Sequence, residues 1–391
     1  MIDRLLSEKV QKLIEKHLDD DPKSLRLKWS KKPNLPVREI IDQIVSHKKA
    51  LTKIPSLVKK GIIYPPPLSV EQCSSEYLAE YKSALFSGDR FVDLTGGFGI
   101  DTLFFSRNFK ESVYVEVDPW LCKVVAHNFD LWGAEIKVLN STAEKFLSDA
   151  GRKADLIYLD PTRRKGGERV FFFQDTHPNV LKLVKPLLEM SDKILIKASP
   201  LIDLKKAIDE LIFVQRIWIL ALKNEVKEVL FLIGRRKNPN PEITVHNLFD
   251  HDSFQFNRGE EDIANSSYGV PQVGDYIYDP NKALMKSGAF KLIGDRYNLK
   301  KLGLSTHLYF SSRKIPFPGR VFKIQTIISG KKKKQLVGKF LEIISKNYSL
   351  EAYEIQKKYK INPGVGKNFL IAAGRRKEAL LMECSKLESR Y

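Results

Sequence analysis

The chain has 391 residues, 43% of them hydrophobic, and 66 Lys and Arg against 47 Asp and Glu give it a net charge of +19. That length allows two to four domains at roughly 100–200 residues each, and no apolar run approaches the ~20 residues that span a bilayer. Three cysteines (Cys73, Cys122 and Cys384) without CxxC spacing argue against a disulfide framework or a zinc site; with an N-terminus that lacks a signal-peptide core, they point to a reducing cytoplasm.

Residues 1–70 read as an N-terminal helical domain. In LLSEKVQKLIEKHL, Leu5, Leu6, Val10, Leu13, Ile14 and Leu18 share one helical face, and VREIIDQIVSHKKAL repeats the pattern. YPPPLS, Tyr64 to Ser69, breaks the helical series and reads as a linker. Over 71–237 short apolar runs alternate with amphipathic stretches. FVDL, SVYVEV, EIKVL, ADLIYLD, KILIKAS, VQRIWILAL and EVLFLI are strand candidates, with helix-like segments such as DPWLCKVVAHNF and THPNVLKLVKPLLEM between most of them. This alternation predicts an α/β fold, a Rossmann-like seven-stranded sheet covered on both faces. KNEVK is too short for a helical crossover, so the last two strands are expected as an antiparallel hairpin at the sheet edge, turning at Asn224 and Glu225. Residues 238–272 are polar and irregular and read as a linker. Residues 273–320 form a short mixed segment. In 321–391, VFKIQTII, FLIAAG and ALLMECS read as strands and QLVGKFLEIISK as a helix, making a small α+β C-terminal region.

At the first strand-to-helix turn, FVDLTGGFGIDT places Asp93 and Thr95 ahead of Gly96, Gly97 and Gly99. Glycines there let a ligand approach the backbone closely. Glu116 ends the second strand, where an acid can hold both ribose hydroxyls. A dinucleotide site wants a third small residue where this chain has Thr102, and Asp93 would repel a pyrophosphate. A cofactor with a sulfonium, an ammonium and a ribose suits the charges better, which favours S-adenosylmethionine over NAD.

Asp93-Leu94-Thr95-Gly96-Gly97-Phe98-Gly99, Glu116 and Asp160-Pro161 together resemble a class I S-adenosylmethionine-dependent methyltransferase over about 72–235. The resemblance implies that Asp93 and the glycine turn wrap the methionyl end and that Glu116 takes the ribose. Val117 and Trp120 are candidates to pack the adenine. Where the family often carries an Asp facing the adenine amine, this chain offers Ser141 and Thr142. Gln72, Ser74 and Ser75 lie where such enzymes often cross the cofactor; Ser74 or Ser75 could equally be a helix N-cap.

LIYLDPTRRKGG, Leu156 to Gly167, follows the fourth strand, where the resemblance places the methyl acceptor. A D/N-P-P-aromatic loop there serves methylation of base amino groups. Here Thr162 replaces the second proline and Arg163 the aromatic. Arg163, Arg164 and Lys165 can grip a phosphate or stack on a base. No cysteine follows the fifth strand, which disfavours thiolate-assisted C5 chemistry. The expected machinery is therefore Asp160, Pro161 and Arg163, with Lys197 and Ser199 also at the carboxyl edge of the sheet.

From Ser311 to Tyr391 there are 19 Lys and Arg against 6 Glu and no Asp, an excess of +13 in 81 residues. This asymmetry points to a polyanion, most simply RNA. Lys331, Lys332, Lys333, Lys334, Lys357, Lys358, Lys360, Lys367, Arg375 and Arg376 are candidate phosphate contacts. Tyr353 and Tyr359 are interleaved, with helix packing the expectation for Tyr353. Residues 273–320 and 321–391 resemble the ferredoxin-like and THUMP-like segments of a bacterial methyltransferase group, which implies delivery of RNA. The expectation is methylation of tRNA or rRNA, a base nitrogen favoured, without metal. The rivals are a protein or small-molecule methyltransferase and an RNA-binding protein that has lost catalysis.

Overall fold

A computed structural model of the chain describes residues 2–387 apart from 31, 33, 34, 150, 163, 166, 167, 170–172, 250, 251, 376 and 377; side chains at 164, 165, 168, 169, 252, 330–332, 375 and 378 are not described. The contacts divide it into two units, residues 1–215 with 230–238, and 216–229 with 239–391.

The first unit opens with helices α1 (Ile2–Leu6), α2 (Glu8–Lys16), α3 (Pro22–Trp29) and α4 (Val37–Lys53). The single helix expected from LLSEKVQKLIEKHL is two, broken at Ser7, the residue before α2. Its apolar face is nonetheless the buried one. Leu5, Val10 and Ile14 join Leu25, Trp29, Ile40 and Ile44 in one cluster, which also takes in Val124 and packs against Trp120. Trp120 is therefore a packing residue. Tyr64 and Pro65, in the expected linker, are pinned to α4: Gln43 donates to the Tyr64 carbonyl (2.7 Å) and accepts from its N–H (2.8 Å), and Ser46 donates to the Pro65 carbonyl (2.9 Å). Helices α5 (Pro67–Gln72) and α6 (Glu76–Ala84) lead into the sheet.

The sheet strands are β1 (Gly88–Asp93), β2 (Phe109–Glu116), β3 (Lys137–Asn140), β4 (Leu156–Leu159), β7 (Ile194–Ala198), β8 (Val214–Leu222), β9 (Glu225–Ile233), β10 (Glu242–Asn247) and β11 (Asp252–Asn257). Two two-residue strands, β5 (Arg164–Lys165) and β6 (Glu168–Arg169), pair only with each other. The sheet order is β11-β10-β8-β9-β7-β4-β1-β2-β3. The seven expected strands are all present. β4 and β7 are buried along their whole length, as central parallel strands must be. The β8–β9 turn is Lys223-Asn224, both at positive φ (50° and 58°), as a two-residue hairpin loop requires.

Two expectations fail here. The hairpin does not end the sheet, because β10 pairs parallel with β8 and β11 antiparallel with β10. Residues 238–272 are therefore not a linker; they hold β10, β11, α12 (Arg258–Ile263) and β12 (Ser267–Tyr268). EITVHN alternates half-buried and buried positions, with Ile243 and Val245 on the buried face. That period-2 signal is masked by the surrounding Asn and Pro.

Helices α7 (Ile100–Ser106), α8 (Pro119–Trp132), α9 (Ala143–Asp149), α10 (Val180–Met190) and α11 (Leu204–Leu211) connect the strands. Their ends follow local chemistry. Asp118 caps α8 by accepting from the N–H groups of Trp120 and Leu121, Pro119 opens it, and Gly133 closes it at φ 73°.

The second unit is built on another nine-stranded sheet, ordered β12-β14-β15-β13-β16-β20-β19-β17-β18. Its remaining elements are β13 (Tyr276–Pro280), α13 (Lys282–Ser287), α14 (Phe290–Arg296), β14 (Lys300–Gly303), β15 (Thr306–Ser311), β16 (Gly319–Ile328), β17 (Phe340–Lys346), α15 (Ala352–Tyr359), β18 (Asn362–Pro363), β19 (Asn368–Arg375) and β20 (Glu378–Lys386). The expected division at 320/321 falls inside β16, which pairs with β13 on one side and β20 on the other. The helix expected at QLVGKFLEIISK is instead the end of a 3-10 turn followed by β17. β17 lies parallel to β19, Glu342 opposite Phe369 through Lys346 opposite Ala373. His307 stacks on Phe290 at 3.8 Å, and burial, with Lys301 and Lys346 nearby, lowers its pKa to about 4. It is a neutral packing group.

Candidate functional site

Parallel pairing sets the carboxyl ends of β1, β2, β4 and β7 along one edge. Asp93 lies opposite Tyr158, and Leu159 opposite Ile196. The glycine turn, Glu116, Asp160 and Lys197 therefore meet where open α/β sheets bind ligands.

The turn is shaped by what a side chain would strike. A Cβ on Gly96 would overlap the Tyr114 ring, which is fully buried and donates from its hydroxyl to the Gly97 carbonyl (2.7 Å). Gly99 sits at φ 77° ahead of α7, and a Cβ there would come within 2.8 Å of both Phe129 and Val125. Glu116 is fixed by backbone donors: Gly97 N–H to Oε2 (3.0 Å), and Val117 and Asp118 N–H to Oε1 (2.8 and 3.0 Å). Asn140 donates to the Glu116 and Val117 carbonyls, at 2.9 Å each. Val117 itself is 54% exposed.

Asp93 is buried. It accepts from Thr102 Oγ1 (2.6 Å) and from the Thr95 N–H (2.9 Å). Burial raises its pKa to about 7, against those two bonds and helped by the nearby charges of Asp101 and Asp160. Thr102, in the third position of the dinucleotide pattern, thus serves Asp93. Thr95 links the two acidic strand ends, since its Oγ1 accepts from the Asp160 N–H at 2.6 Å.

Behind Asp160 lies a buried network that the sequence reading met only at Ser74 and Lys197. Lys197 Nζ is 2.5 Å from Asp160 Oδ2, 3.2 Å from Ser74 Oγ and 3.5 Å from Asp101 Oδ2. Lys82 Nζ lies 2.9 Å from Asp101 Oδ1 and 2.7 Å from Ser74 Oγ. Ser74 Oγ and the Tyr158 hydroxyl both donate to Asp101 Oδ2, at 2.8 and 2.7 Å. Burial alone would raise the Asp101 pKa, but Lys82, Lys197 and the Tyr158 hydrogen bond overcome it and hold the carboxyl below its usual range. Two signals for this network were legible. Lys82 falls on the buried face of α6 with Leu78 and Ala79, and Asp101 is an acid in the otherwise apolar IDTLFF.

Other expected site residues fall elsewhere. Ser74 is in the network and is no cap; Ser75 precedes α6 without a side-chain capping bond, and its Oγ is buried with no hydrogen-bond partner among the described residues. Gln72 is exposed at the end of α5. Thr142 is exposed, and its Oγ1 accepts from the Lys145 N–H in the first turn of α9 (3.1 Å). Ser199 Oγ accepts from the Leu201 N–H (3.2 Å). Pro161 is buried, and Thr162 pairs with His177 in an isolated bridge. Arg163 and Arg376, and the side chains of Arg164, Lys165, Lys331, Lys332 and Arg375, lie outside the described residues. Lys333, Lys334, Lys357 and Lys358 are exposed in the second unit. Tyr353, expected to pack, is 73% exposed, whereas Tyr359 packs against the core under α15. Cys73, beside the network, has its thiol pushed up to about 11 by burial, unlike an activated nucleophile. Among the described residues no helix is long and apolar enough to cross a membrane, and no group of three or more His, Cys, Asp and Glu could hold a metal.

Residues 70–195 match the family described as conserved hypothetical protein 95, and 276–318 match a ferredoxin-like domain. Uncharacterised S-adenosylmethionine-dependent methyltransferases of two Mycobacterium tuberculosis strains are each 23% identical over 264 residues, covering 66% of this chain and 68% of theirs. The crystal structure of a candidate methyltransferase from Porphyromonas gingivalis W83 superposes with a TM-score of 0.86 at 28% identity, covering 99% of both chains. Sheet order, glycine turn and these likenesses agree, and they make the chain a class I S-adenosylmethionine-dependent methyltransferase with a C-terminal ferredoxin-like domain.

Proposed function

We propose that the chain methylates RNA, holding S-adenosylmethionine at the glycine turn and presenting the acceptor to Asp160. The residues fit this donor. At Gly97, where a Cβ would meet nothing closer than the Thr95 carbonyl at 3.8 Å, the missing side chain leaves the backbone open to a ligand, and Asp93 supplies a carboxyl for the ammonium. Glu116 is pre-set by three N–H groups to receive ribose hydroxyls, exposed Val117 offers an apolar face to the adenine, and Ser75 Oγ is a buried polar atom awaiting a partner. The bound donor supplies a methyl group on a cationic sulfonium. The protein's part is to hold the acceptor in line, exclude water and take up the proton the acceptor loses. Asp160 suits that role: its side chain is 25% exposed, while Lys197 behind it is 3% exposed.

The observation that carries the choice of RNA is the +13 excess over 311–391, with Lys333, Lys334, Lys357 and Lys358 all exposed. Exposed lysines in such numbers bind phosphates without reading sequence, and Tyr353 beside them can stack on a base. We read 321–391 as the THUMP-like part of this surface. A protein or small-molecule acceptor would give no reason for that charge. Intact Asp93, Gly97, Gly99, Glu116 and Asp160 argue against a chain that has lost catalysis.

Mass spectrometry of nucleosides from the RNA of a strain lacking the chain tests the reading. One methylated nucleoside is expected to disappear and to return on complementation, but not with Asp160→Ala. An unchanged set of methylated nucleosides would reject RNA as the substrate.

A further inference from the structure

We propose that Thr95 is a positioning residue for methyl transfer: its hydroxyl ties the acceptor loop at Asp160 to the donor turn at Asp93, and so sets the distance across which the methyl group moves. This rests on Asp160 receiving the acceptor, and not on the acceptor being RNA.

The tie lies where the sheet stops holding the two loops together. The β1–β4 ladder ends with Asp93 opposite Tyr158, and the Leu94 N–H donates to the Tyr158 carbonyl at 3.0 Å. Beyond that rung β1 runs into the glycine turn and β4 into Asp160-Pro161, and the ladder goes no further. The Thr95 side chain supplies the next rung, its Oγ1 accepting from the Asp160 N–H at 2.6 Å. Water could satisfy the same N–H, but it would leave the acceptor loop unattached to the donor turn.

On its other side Thr95 is fixed to that turn. Its N–H donates to Asp93 Oδ1 at 2.9 Å, and its Oγ1 lies 3.5 Å from the same oxygen, which gives the hydroxyl proton a direction. Asp93 is held in turn by Thr102 Oγ1 of α7 at 2.6 Å. Asp160 N–H, Thr95 and the Asp93 carboxyl thus form one chain from acceptor loop to donor turn. Asp160 has little freedom left around it. Pro161, next in the chain, confines its backbone to the extended region, and Lys197 holds its Oδ2 at 2.5 Å. In the step, a lone pair of the acceptor forms the bond to the methyl carbon while the donor's C–S bond breaks, its electron pair passing to sulfur. The acceptor's proton passes to the Asp160 carboxylate. Such a displacement needs the reacting atoms in line and about 3–3.5 Å apart, and a misplacement of about 1 Å can cost about 10²-fold in rate.

The full chain is incubated with methyl-labelled S-adenosylmethionine and an extract of cells that lack it, and label is counted separately in RNA, protein and small molecules. The rate at saturating donor is read in the fraction that the wild-type chain labels. Thr95→Val keeps the shape of the side chain and removes the oxygen. It should lose about 10²-fold in that rate, with S-adenosylhomocysteine binding by calorimetry, which also reports folding, kept within about threefold. Thr95→Ser, which restores the oxygen, should recover most of the loss. A Thr95→Val variant with an unchanged rate would overturn the tie. A loss lying wholly in S-adenosylhomocysteine affinity would make Thr95 a donor contact instead, and a Thr95→Ser variant as slow as Thr95→Val would make it a packing residue. Wild-type label in protein or small molecules alone would reject the RNA reading and leave the test of Thr95 intact. Label in no fraction would overturn the role of Asp160 and the tie with it.

Discussion

Lysines are used in opposite ways in the two units. In the first, Lys82 and Lys197 are 0% and 3% exposed and are matched to Asp101, Asp160 and Ser74 at hydrogen-bond distance. In the second, Lys333, Lys334, Lys357 and Lys358 stand in solvent. A buried cation has one geometry available, so it fixes its partners; an exposed one is screened and mobile and contributes long-range attraction. The second unit also has a buried example. Lys301, 3% exposed, donates from Nζ to the Leu304 carbonyl at 2.9 Å. The contrast is therefore one of burial, and it separates residues that set a geometry from residues that contribute only long-range charge.

The contrast can be broken most sharply at Lys82. Lys82→Ala leaves Asp101 buried with one cation fewer and should cost about 3–5 kcal/mol in denaturant unfolding. A loss under about 1 kcal/mol would mean that the network carries no structural tension and that exposed and buried lysines are equivalent here. Next in size is Gly96→Ala, which forces a methyl group into the Tyr114 ring. It should destabilise by about 1–3 kcal/mol and weaken S-adenosylhomocysteine binding in calorimetry; wild-type binding would show that the turn is not where the donor lies. The smallest effect on stability belongs to the double change Lys357→Ala with Lys358→Ala. Unfolding should move by no more than about 0.5 kcal/mol, while the slope of log affinity for RNA against log salt should fall by about 2. An unchanged slope would take α15 out of the RNA surface.

What could be read from the sequence was what is local. Asp93, the Gly96–Gly99 turn and Glu116 lie within 24 residues, and each has a backbone reason to be where it is. The seven strands were legible because they are short and apolar between amphipathic helices. β17 was misread because FLEIISK carries Leu341, Ile343 and Ile344, a spacing compatible with either period, and only pairing with β19 settles it. β10 and β11 were passed over because their surroundings are rich in Asn and Pro, although Ile243 and Val245 alternate as a strand's should. Tyr353 was expected to pack, and the helix turns it out to solvent.

The sequence by itself determined the α/β class, the glycine turn, the Asp-Pro exit of the fourth strand and the charge asymmetry, because propensity, glycine chemistry and net charge act over a few residues or over none. The tertiary structure alone decided what Asp160 is. Lys82, Asp101, Tyr158 and Lys197 are far apart in the chain, and they meet only because parallel strands deliver their ends to one edge and α6 and α7 close over it. Whether an acid beside cations is a solvated loop or a held carboxylate depends on burial and distance, and those exist only once the chain has folded.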